Sequence, residues 1–99
     1  MQAQIAQQIV VEMNAHMTQS GITLDRWYVG VSDAWDSLFT IHKVPRAHRW
    51  FICRCALNHL DARAIQQAYR KAGSAGPREE GNDTAVYVYA YVITPETVQ

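Results

Sequence analysis

The sequence predicts one α+β domain in which three strands form a small sheet and three helices flank it, in the order α-β-α-β-α-β. Three runs rich in β-branched and aromatic residues alternate with segments whose apolar residues recur at helical spacing. These helical segments are too short and irregular for a doubly wound parallel sheet. A chain of 99 residues, 48% of them hydrophobic, can build a single modest core, so residues 1–99 are expected to form one domain.

The first predicted element is an amphipathic helix within residues 1–20. Polar residues surround an apolar stripe that recurs every four residues. The stripe consists of Ile5, Ile9, Met13 and Met17. Ser20 and Gly21 form a typical C-terminal stop. We expect the stripe to fill the core, which is the usual role of methionine at such spacing.

The run RWYVGVS, residues 26–32, predicts the first strand. Ser32 or Asp33 can cap a second helix over residues 34–42. Its apolar face is expected to contain Trp35, Leu38, Phe39 and His42, which follow i, i+3, i+4 and i+7 spacing. Pro45 cannot continue a helix and therefore marks the following loop.

The run RWFICRC, residues 49–55, predicts the second strand. Alternation assigns Trp50, Ile52 and Arg54 to one face, and Phe51, Cys53 and Cys55 to the other. Asn58 is a suitable N-cap for a helix over residues 59–72, with Asp61 in the capping-box position and Gly73 after its end. We expect the buried side of this helix to contain Leu60, Ala64, Ile65, Ala68 and Tyr69.

A polar, glycine-rich loop precedes the third strand, which the run AVYVYAYVIT predicts at residues 85–94. Three tyrosines alternate with small apolar residues along this strand, so both of its faces are expected to be at least partly covered. The tyrosines are Tyr87, Tyr89 and Tyr91. Alternating tyrosines can stack on bases, although in a small sheet they more often form half-buried scaffold.

The charges are distributed unevenly, although the formal net charge is zero. No Asp or Glu occurs from Ser37 to Leu60. The same segment contains Lys43, Arg46, Arg49 and Arg54, together with His42, His48 and His59. A locally basic segment on a neutral protein can bind a phosphate backbone or an acidic partner. The alternative is a solvated loop with ordinary charges.

Two cysteines, Cys53 and Cys55, stand two residues apart on the second strand. They point to one face but are unsuited to a disulfide with each other, and their spacing fits no closed zinc site. No metal is expected there. The chain shows no secretory signal and no apolar run near twenty residues, so a cytoplasmic protein without a membrane segment is expected.

Several motifs occur together in an informative order. WYVG at residues 27–30 is followed by His42 twelve residues after Gly30, by a strand containing Trp50, by ARAIQQAYRKAG, and by VYVYAY after a glycine-rich loop. This order resembles the GIY-YIG nuclease-like superfamily, in particular a group of small phage and prophage proteins. The resemblance covers residues 27–91. It implies a nuclease-like core over residues 26–94, with a three-stranded antiparallel sheet and a short tail at 95–99.

The resemblance also implies positions for the catalytic residues of the family, whose active members are metal-dependent endonucleases. Tyr28 and Gly30 hold the places of the second signature, and His42 holds that of the His or Tyr at the helix end. The family's arginine falls at Ser37 or Leu38, and its metal-binding glutamate falls at Gln66. The first signature is absent, because GIT at residues 21–23 lacks the tyrosine, and the C-terminal strand is expected to take that strand's place in the sheet.

These replacements remove the groups that phosphodiester cleavage needs. Glu supplies an anionic ligand for Mg²⁺ and Arg supplies a fixed positive fork for the phosphate, whereas Gln, Ser and Leu do neither. Tyr28 is then either a phenol that activates a nucleophile or a core aromatic residue, and His42 is either a general base or a cation at the helix end. Rescue would require Arg63 or Arg46 at the phosphate, or a metal held loosely by Glu79 and Glu80.

The sequence therefore predicts a catalytically degenerate GIY-YIG-like domain that binds nucleic acid or a protein partner without cleavage. The candidate nucleic-acid-binding residues are Lys43, Arg46, Arg49, Arg54 and Arg63. One alternative is a residual endonuclease, which alone would need Mg²⁺ or Mn²⁺. Another is a phage or prophage accessory protein that inhibits a host protein. A homodimer through an exposed strand edge is also compatible with the pattern.

Overall fold

The computed structural model describes residues 2–47, 49–77 and 82–99. Four strands and three α-helices are present within these residues. In chain order they are β1 (Ala3–Gln4), α1 (Ala6–Ser20), β2 (Trp27–Ser32), α2 (Ser37–Thr40), β3 (Phe51–Ala56), α3 (His59–Ala72) and β4 (Tyr87–Val92). A short 3₁₀ turn, Leu24–Arg26, leads into β2. The predicted α+β class is confirmed.

The three predicted strands are present and pair antiparallel, but the predicted number of strands is wrong. The sheet has four strands in the order β1-β3-β4-β2, and β1 pairs in parallel with the end of β3. Ala3 and Gln4 are opposite Cys55 and Ala56. A strand of two residues is too short to show a period-2 pattern, so its pairing partner could not be read from its sequence.

The other three strands form the antiparallel part of the sheet. β4 is central and pairs antiparallel with both β2 and β3. The C-terminal strand thus lies directly beside the strand that contains Tyr28, as its expected placement requires. β2 is an edge strand, but part of its outer edge is occupied, because Val29 N–H donates to the Ala75 carbonyl at 3.0 Å and Ala75 N–H donates to the Trp27 carbonyl at 2.9 Å.

Hydrophobic clusters cover both faces of the sheet, as the pattern of β4 predicts. One cluster joins α1 and α3 to one face, and the other lies beneath α2 on the opposite face. The first contains Ile9, Met13, Met17, Trp27, Val29, Ile52, Ile65, Val88 and Ala90, among others. The second contains Tyr28, Leu38, Val44, Tyr89 and Tyr91, with Phe39 and Phe51 packed against it.

The first helix follows most of its predicted pattern. Ile9, Met13 and Met17 are buried, whereas Ile5 lies outside the helix at its N-cap and is 53% exposed. Gly21 adopts the left-handed conformation, with φ of 69°, that a helix C-terminus commonly requires. The prediction that Ile5 belongs to the core is therefore wrong, because this residue lies between the end of β1 and the start of α1.

The second helix is shorter than predicted. It spans Ser37–Thr40 rather than residues 34–42, and residues 33–36 form a turn instead. Ser32 Oγ accepts a hydrogen bond from Ala34 N–H, and Ser37 Oγ donates to the Ala34 carbonyl. These side-chain bonds stabilise a turn in competition with the first turn of a helix. As a result, Trp35 is 52% exposed rather than part of a buried helix face.

The third helix has its predicted ends and part of its predicted buried face. Asn58 Oδ1 accepts from Asp61 N–H at 2.8 Å, which confirms the N-cap, and Gly73 follows the last turn. Leu60, Ala64 and Ala68 are exposed, and the buried residues are Ala62, Ile65, Gln66 and Tyr69. The prediction is confirmed for Ile65 and Tyr69 and wrong for the other three, because it followed apolar residues only, whereas a buried polar residue, Gln66, lies on the buried face.

No helix within the described residues is long and apolar enough to span a membrane.

Candidate functional site

A compact aromatic cluster surrounds His42 on the face of the sheet beneath α2. The His42 ring lies 4.8 Å from that of Tyr28, 5.3 Å from that of Tyr89 and 5.2 Å from that of Tyr91, measured between ring centroids. Tyr28 and Tyr91 are opposite each other in neighbouring strands, and their rings stack at 5.2 Å. Three of the residues come from β2 and β4, so the register of these strands positions the cluster.

Both nitrogens of the His42 ring have partners. His42 Nδ1 lies 2.6 Å from the Val98 carbonyl oxygen, and Nε2 lies 2.7 Å from the Tyr89 hydroxyl. A carbonyl oxygen only accepts, so the neutral ring carries its proton on Nδ1 and receives the Tyr89 O–H at Nε2. The Tyr91 hydroxyl also donates to the Val98 carbonyl, at 3.2 Å.

The C-terminal segment covers this cluster. Val98 N–H donates to the His42 carbonyl at 2.7 Å, so the backbone of Val98 bonds both the main chain and the ring of His42. His42 is only 5% exposed. A general base must reach the proton that it removes, and His42 has neither free nitrogen nor access in this arrangement.

Burial lowers the pKa of His42 below its ordinary value of 6.5, while its hydrogen bond to Val98 acts in the opposite direction. Burial also lowers the pKa of His16, with a further contribution from the positive charges of Arg54 and Arg49. Both histidines therefore favour the neutral form in the folded protein.

Acidification below the ordinary histidine pKa of about 6.5 is expected to destabilise the fold. In that range the unfolded chain binds protons that folded His42 and His16 resist, so their stabilising contribution is complete above pH 6.5. It declines as the pH falls through the lower pKa values of the folded state. Denaturant unfolding at pH 7.5 and 5.5 should show this, and His42→Gln should have a shallower pH dependence. Equal dependence in the two proteins would contradict a role for His42.

The two positions at which the resemblance predicts an arginine are both buried. Ser37 and Leu38 are each 1% exposed. Ser37 Oγ lies 2.5 Å from Ser32 Oγ and donates to the Ala34 carbonyl, whereas Leu38 packs in the cluster with Tyr28. Both positions therefore support the connection between β2 and α2.

Gln66 lies on the other side of the sheet from His42. It is 1% exposed on the face of α3 that packs with Val29, and its Nε2 donates to the Pro77 carbonyl at 3.1 Å and to the Val29 carbonyl at 3.5 Å. Gly76 allows this approach, because a Cβ atom there would lie 2.5 Å from the Val29 oxygen and 3.2 Å from Gln66 Nε2. The amide thus joins α3, the edge of β2 and the loop after α3.

The family-equivalent positions are therefore divided between two environments. Tyr28 and His42 are in contact, but Gln66 is not part of their cluster, and Gly30 lies within β2 opposite Tyr89. Within the described residues no group of three or more His, Cys, Asp or Glu side chains could hold a metal ion. Glu79 and Glu80, named above as weak metal ligands, lie outside the described residues.

The basic candidates differ in their surroundings. Arg46 and Arg49 are exposed, and each guanidinium lies over an aromatic ring, Arg46 at 4.2 Å from the centroid of Phe39 and Arg49 at 4.7 Å from that of Trp50. Lys43 is exposed and has the positive φ of 58°, uncommon for a residue with a side chain.

The remaining two candidates, Arg54 and Arg63, are less available to an external ligand. Arg54 Nε bonds Glu12 Oε1 at 2.8 Å, and this carboxylate neutralises much of its charge. The bond lowers the pKa of Glu12, with a second contribution from Gln4. Arg63 is half-buried on α3. The Glu12–Arg54 pair could not be predicted from local sequence, since its members are 42 residues apart in the chain.

An open groove of about 410 Å³ lies where α2, the following loop and β3 meet. Its walls include the aromatic residues Trp35, Phe39 and Phe51, with Arg46 and Arg54 beside them. Sequence reasoning missed this groove because it assigned Trp35 to a buried helix face. The position of Trp35 between Asp33 and Asp36, in a segment of residues that favour caps and turns, was a signal in the sequence that this tryptophan could be exposed.

Cys53 does not have the character of a nucleophile. Both cysteines are free, and burial raises the pKa of Cys53 to about 11 despite the opposing charge of Arg54. A thiol with so high a pKa is almost entirely protonated near pH 7. The Cys53 Sγ lies 3.7 Å from the Trp35 carbonyl oxygen, which links β3 to the turn before α2.

Comparison of this chain with protein-family models, with curated proteins and with solved structures finds no match.

Proposed function

We propose that this chain is a GIY-YIG-like domain that has lost cleavage and binds nucleic acid as a non-catalytic module. The observation that carries the proposal is the trio of exposed cations Lys43, Arg46 and Arg49 between α2 and β3, in a segment free of carboxylates. Among the described residues, none of the three has an ion-pair partner. They therefore retain their full charge for an anionic ligand.

The environment of the family-equivalent residues supports the loss of cleavage. His42 is enclosed by Tyr89 and Val98, and Gln66 supplies a neutral amide that is already engaged by backbone carbonyls. Cleavage would need a metal or an equivalent positive group beside the nucleophile. The antiparallel pairing of β4 with β2 supports the likeness to the family, since a distant or parallel placement of the C-terminal strand would have contradicted it.

The test is a fluorescence-anisotropy titration against duplex, branched and single-stranded DNA at two salt concentrations, with and without Mg²⁺ or Mn²⁺. If three cations contact phosphates, the logarithm of the binding constant should fall with that of salt with a slope of about −2 to −3. Arg46→Ala and Arg49→Ala should each weaken binding and reduce the slope. Arg70→Ala removes an exposed arginine from α3 and is the matched control.

The outcomes separate the alternatives. Salt-sensitive binding that leaves the DNA intact supports a binding module. Cleavage of the DNA that requires Mg²⁺ or Mn²⁺ and is lost in His42→Ala would overturn the proposal and indicate a residual endonuclease. The absence of binding to every DNA would overturn the proposal in favour of a protein partner, such as a host protein inhibited by a phage or prophage accessory protein.

A further inference from the structure

The groove that contains Arg46 combines exposed aromatic surface with positive charge. Trp35 is 52% exposed at its rim, and Phe39 and Phe51 contact each other edge to face, with their centroids 5.3 Å apart. A large exposed aromatic side chain next to such rings is costly to leave in water, and commonly marks a binding surface.

The arginine in the groove lies beside an aromatic ring. The central carbon of the Arg46 guanidinium is 4.2 Å from the centroid of Phe39, and a guanidinium in such a contact can still donate its N–H groups to an anion. The Arg49 guanidinium carbon lies over the Trp50 ring in the same way. An aromatic ring does not neutralise the charge of a cation, whereas the Glu12 carboxylate offsets the positive charge of Arg54.

Charge is distributed unevenly around the groove, with the arginine at one side and the exposed tryptophan at the other. Asp33 and Asp36 flank Trp35 in the chain, but no carboxylate belongs to the described residues that line the groove. The aromatic rim at Trp35 is therefore suited to an uncharged planar group. The side at Arg46 is suited to the anion attached to that group.

We infer that this groove binds an unpaired base of single-stranded nucleic acid, with Trp35 as its stacking surface and Arg46 at the adjoining phosphate. The inference rests on the proposed function and specifies its ligand. Alternating aromatic rings and cations are the usual means of binding single strands without sequence preference. A base in a duplex has both faces covered by its neighbours, so only an unpaired base can enter. A volume of about 410 Å³ lies within the range of small-ligand sites.

The test is a titration with the single strands dT12 and rU12 and with a 12-base-pair DNA duplex. Binding is measured by fluorescence anisotropy and by tryptophan emission. The single strands should bind more tightly than the duplex. Trp35→Ala should weaken single-strand binding roughly 5- to 100-fold, and Trp35→Phe should retain most of it. Leu60→Ala removes an apolar side chain that is 62% exposed on α3 and should change nothing.

Emission identifies the residue that stacks. Trp27 is fully buried, whereas Trp50 is half-buried beneath Arg49, so the share of the quenching that disappears in Trp35→Phe, although that variant still binds, comes from Trp35. Thermal unfolding checks that Trp35→Ala is folded. If duplex and single strands bind equally and Trp35→Ala binds like the wild type, the inference is overturned and the proposed function stands. If no nucleic acid binds, both are overturned and a protein partner is indicated.

Discussion

Replacing Gln66 with glutamate, the residue that the proposed likeness to the nuclease family places there, is expected to destabilise the fold by about 3 kcal/mol at pH 7. Gln66 Nε2 donates to the carbonyl oxygens of Pro77 and Val29, and a carboxylate cannot donate to either. The side chain is 1% exposed, so the negative charge would be desolvated beside two partially negative oxygens. Denaturant unfolding of Gln66→Glu measures the loss.

The matched control is the next residue in the helix. Gln67 is exposed on the outer face of α3, and Gln67→Glu makes the same chemical change in water. Its effect should remain within about 0.5 kcal/mol. Equal effects in the two variants would show that Gln66 is not the structural amide described above.

The Gln66→Glu defect should also depend on pH in a defined direction. Burial raises the pKa of the introduced carboxyl in the folded state above the value of about 4.3 that it has in the unfolded chain. The loss of stability of the variant relative to the wild type is therefore largest at neutral pH. Its difference from the wild type should shrink as the pH approaches 4, where the protonated carboxyl can donate a hydrogen bond.

Ser37→Arg, the other change toward the pattern of the family that this chain is proposed to resemble, is expected to destabilise the fold by about 2–4 kcal/mol. Ser37 is 1% exposed, and its hydroxyl bonds Ser32 and the Ala34 carbonyl in the turn before α2. An arginine would remove these bonds and force a long charged side chain into packed space. The midpoint of thermal or denaturant unfolding measures the result.

Thr40→Arg is the control for this change. Thr40 is exposed on the same short helix, so a new arginine there can extend into water. We expect a stability change within about 0.5 kcal/mol. A Ser37→Arg protein as stable as Thr40→Arg would show that the site can accommodate the family's arginine after all, and would weaken the case for permanent loss of cleavage.

Much of the secondary structure could be predicted because its signals are local. The bounds of α3 follow from Asn58 and Gly73, which satisfy the ends of the helix within a few residues of chain. The two covered faces of β4 follow from the alternation of tyrosine with valine and alanine. In contrast, the length of α2 was misjudged, because serine bonds to nearby backbone groups compete with helix formation.

The candidate site could be predicted only in its chemistry. The sequence alone determines that position 66 has an amide rather than a carboxylate, that Ser37 and Leu38 are not arginine, and that residues 37–60 contain no acid. These are properties of the side chains themselves. They require no knowledge of the fold.

The tertiary structure alone decided which of these residues meet. It sequestered His42 against Val98, paired Arg54 with Glu12, placed Gln66 beneath Gly76, added β1 to the sheet and left Trp35 at the rim of a groove. Each of these outcomes depends on a contact between residues distant in the chain, or on the burial that such contacts produce. Local propensity and periodicity describe only neighbours along the chain, so they carry no information about those contacts.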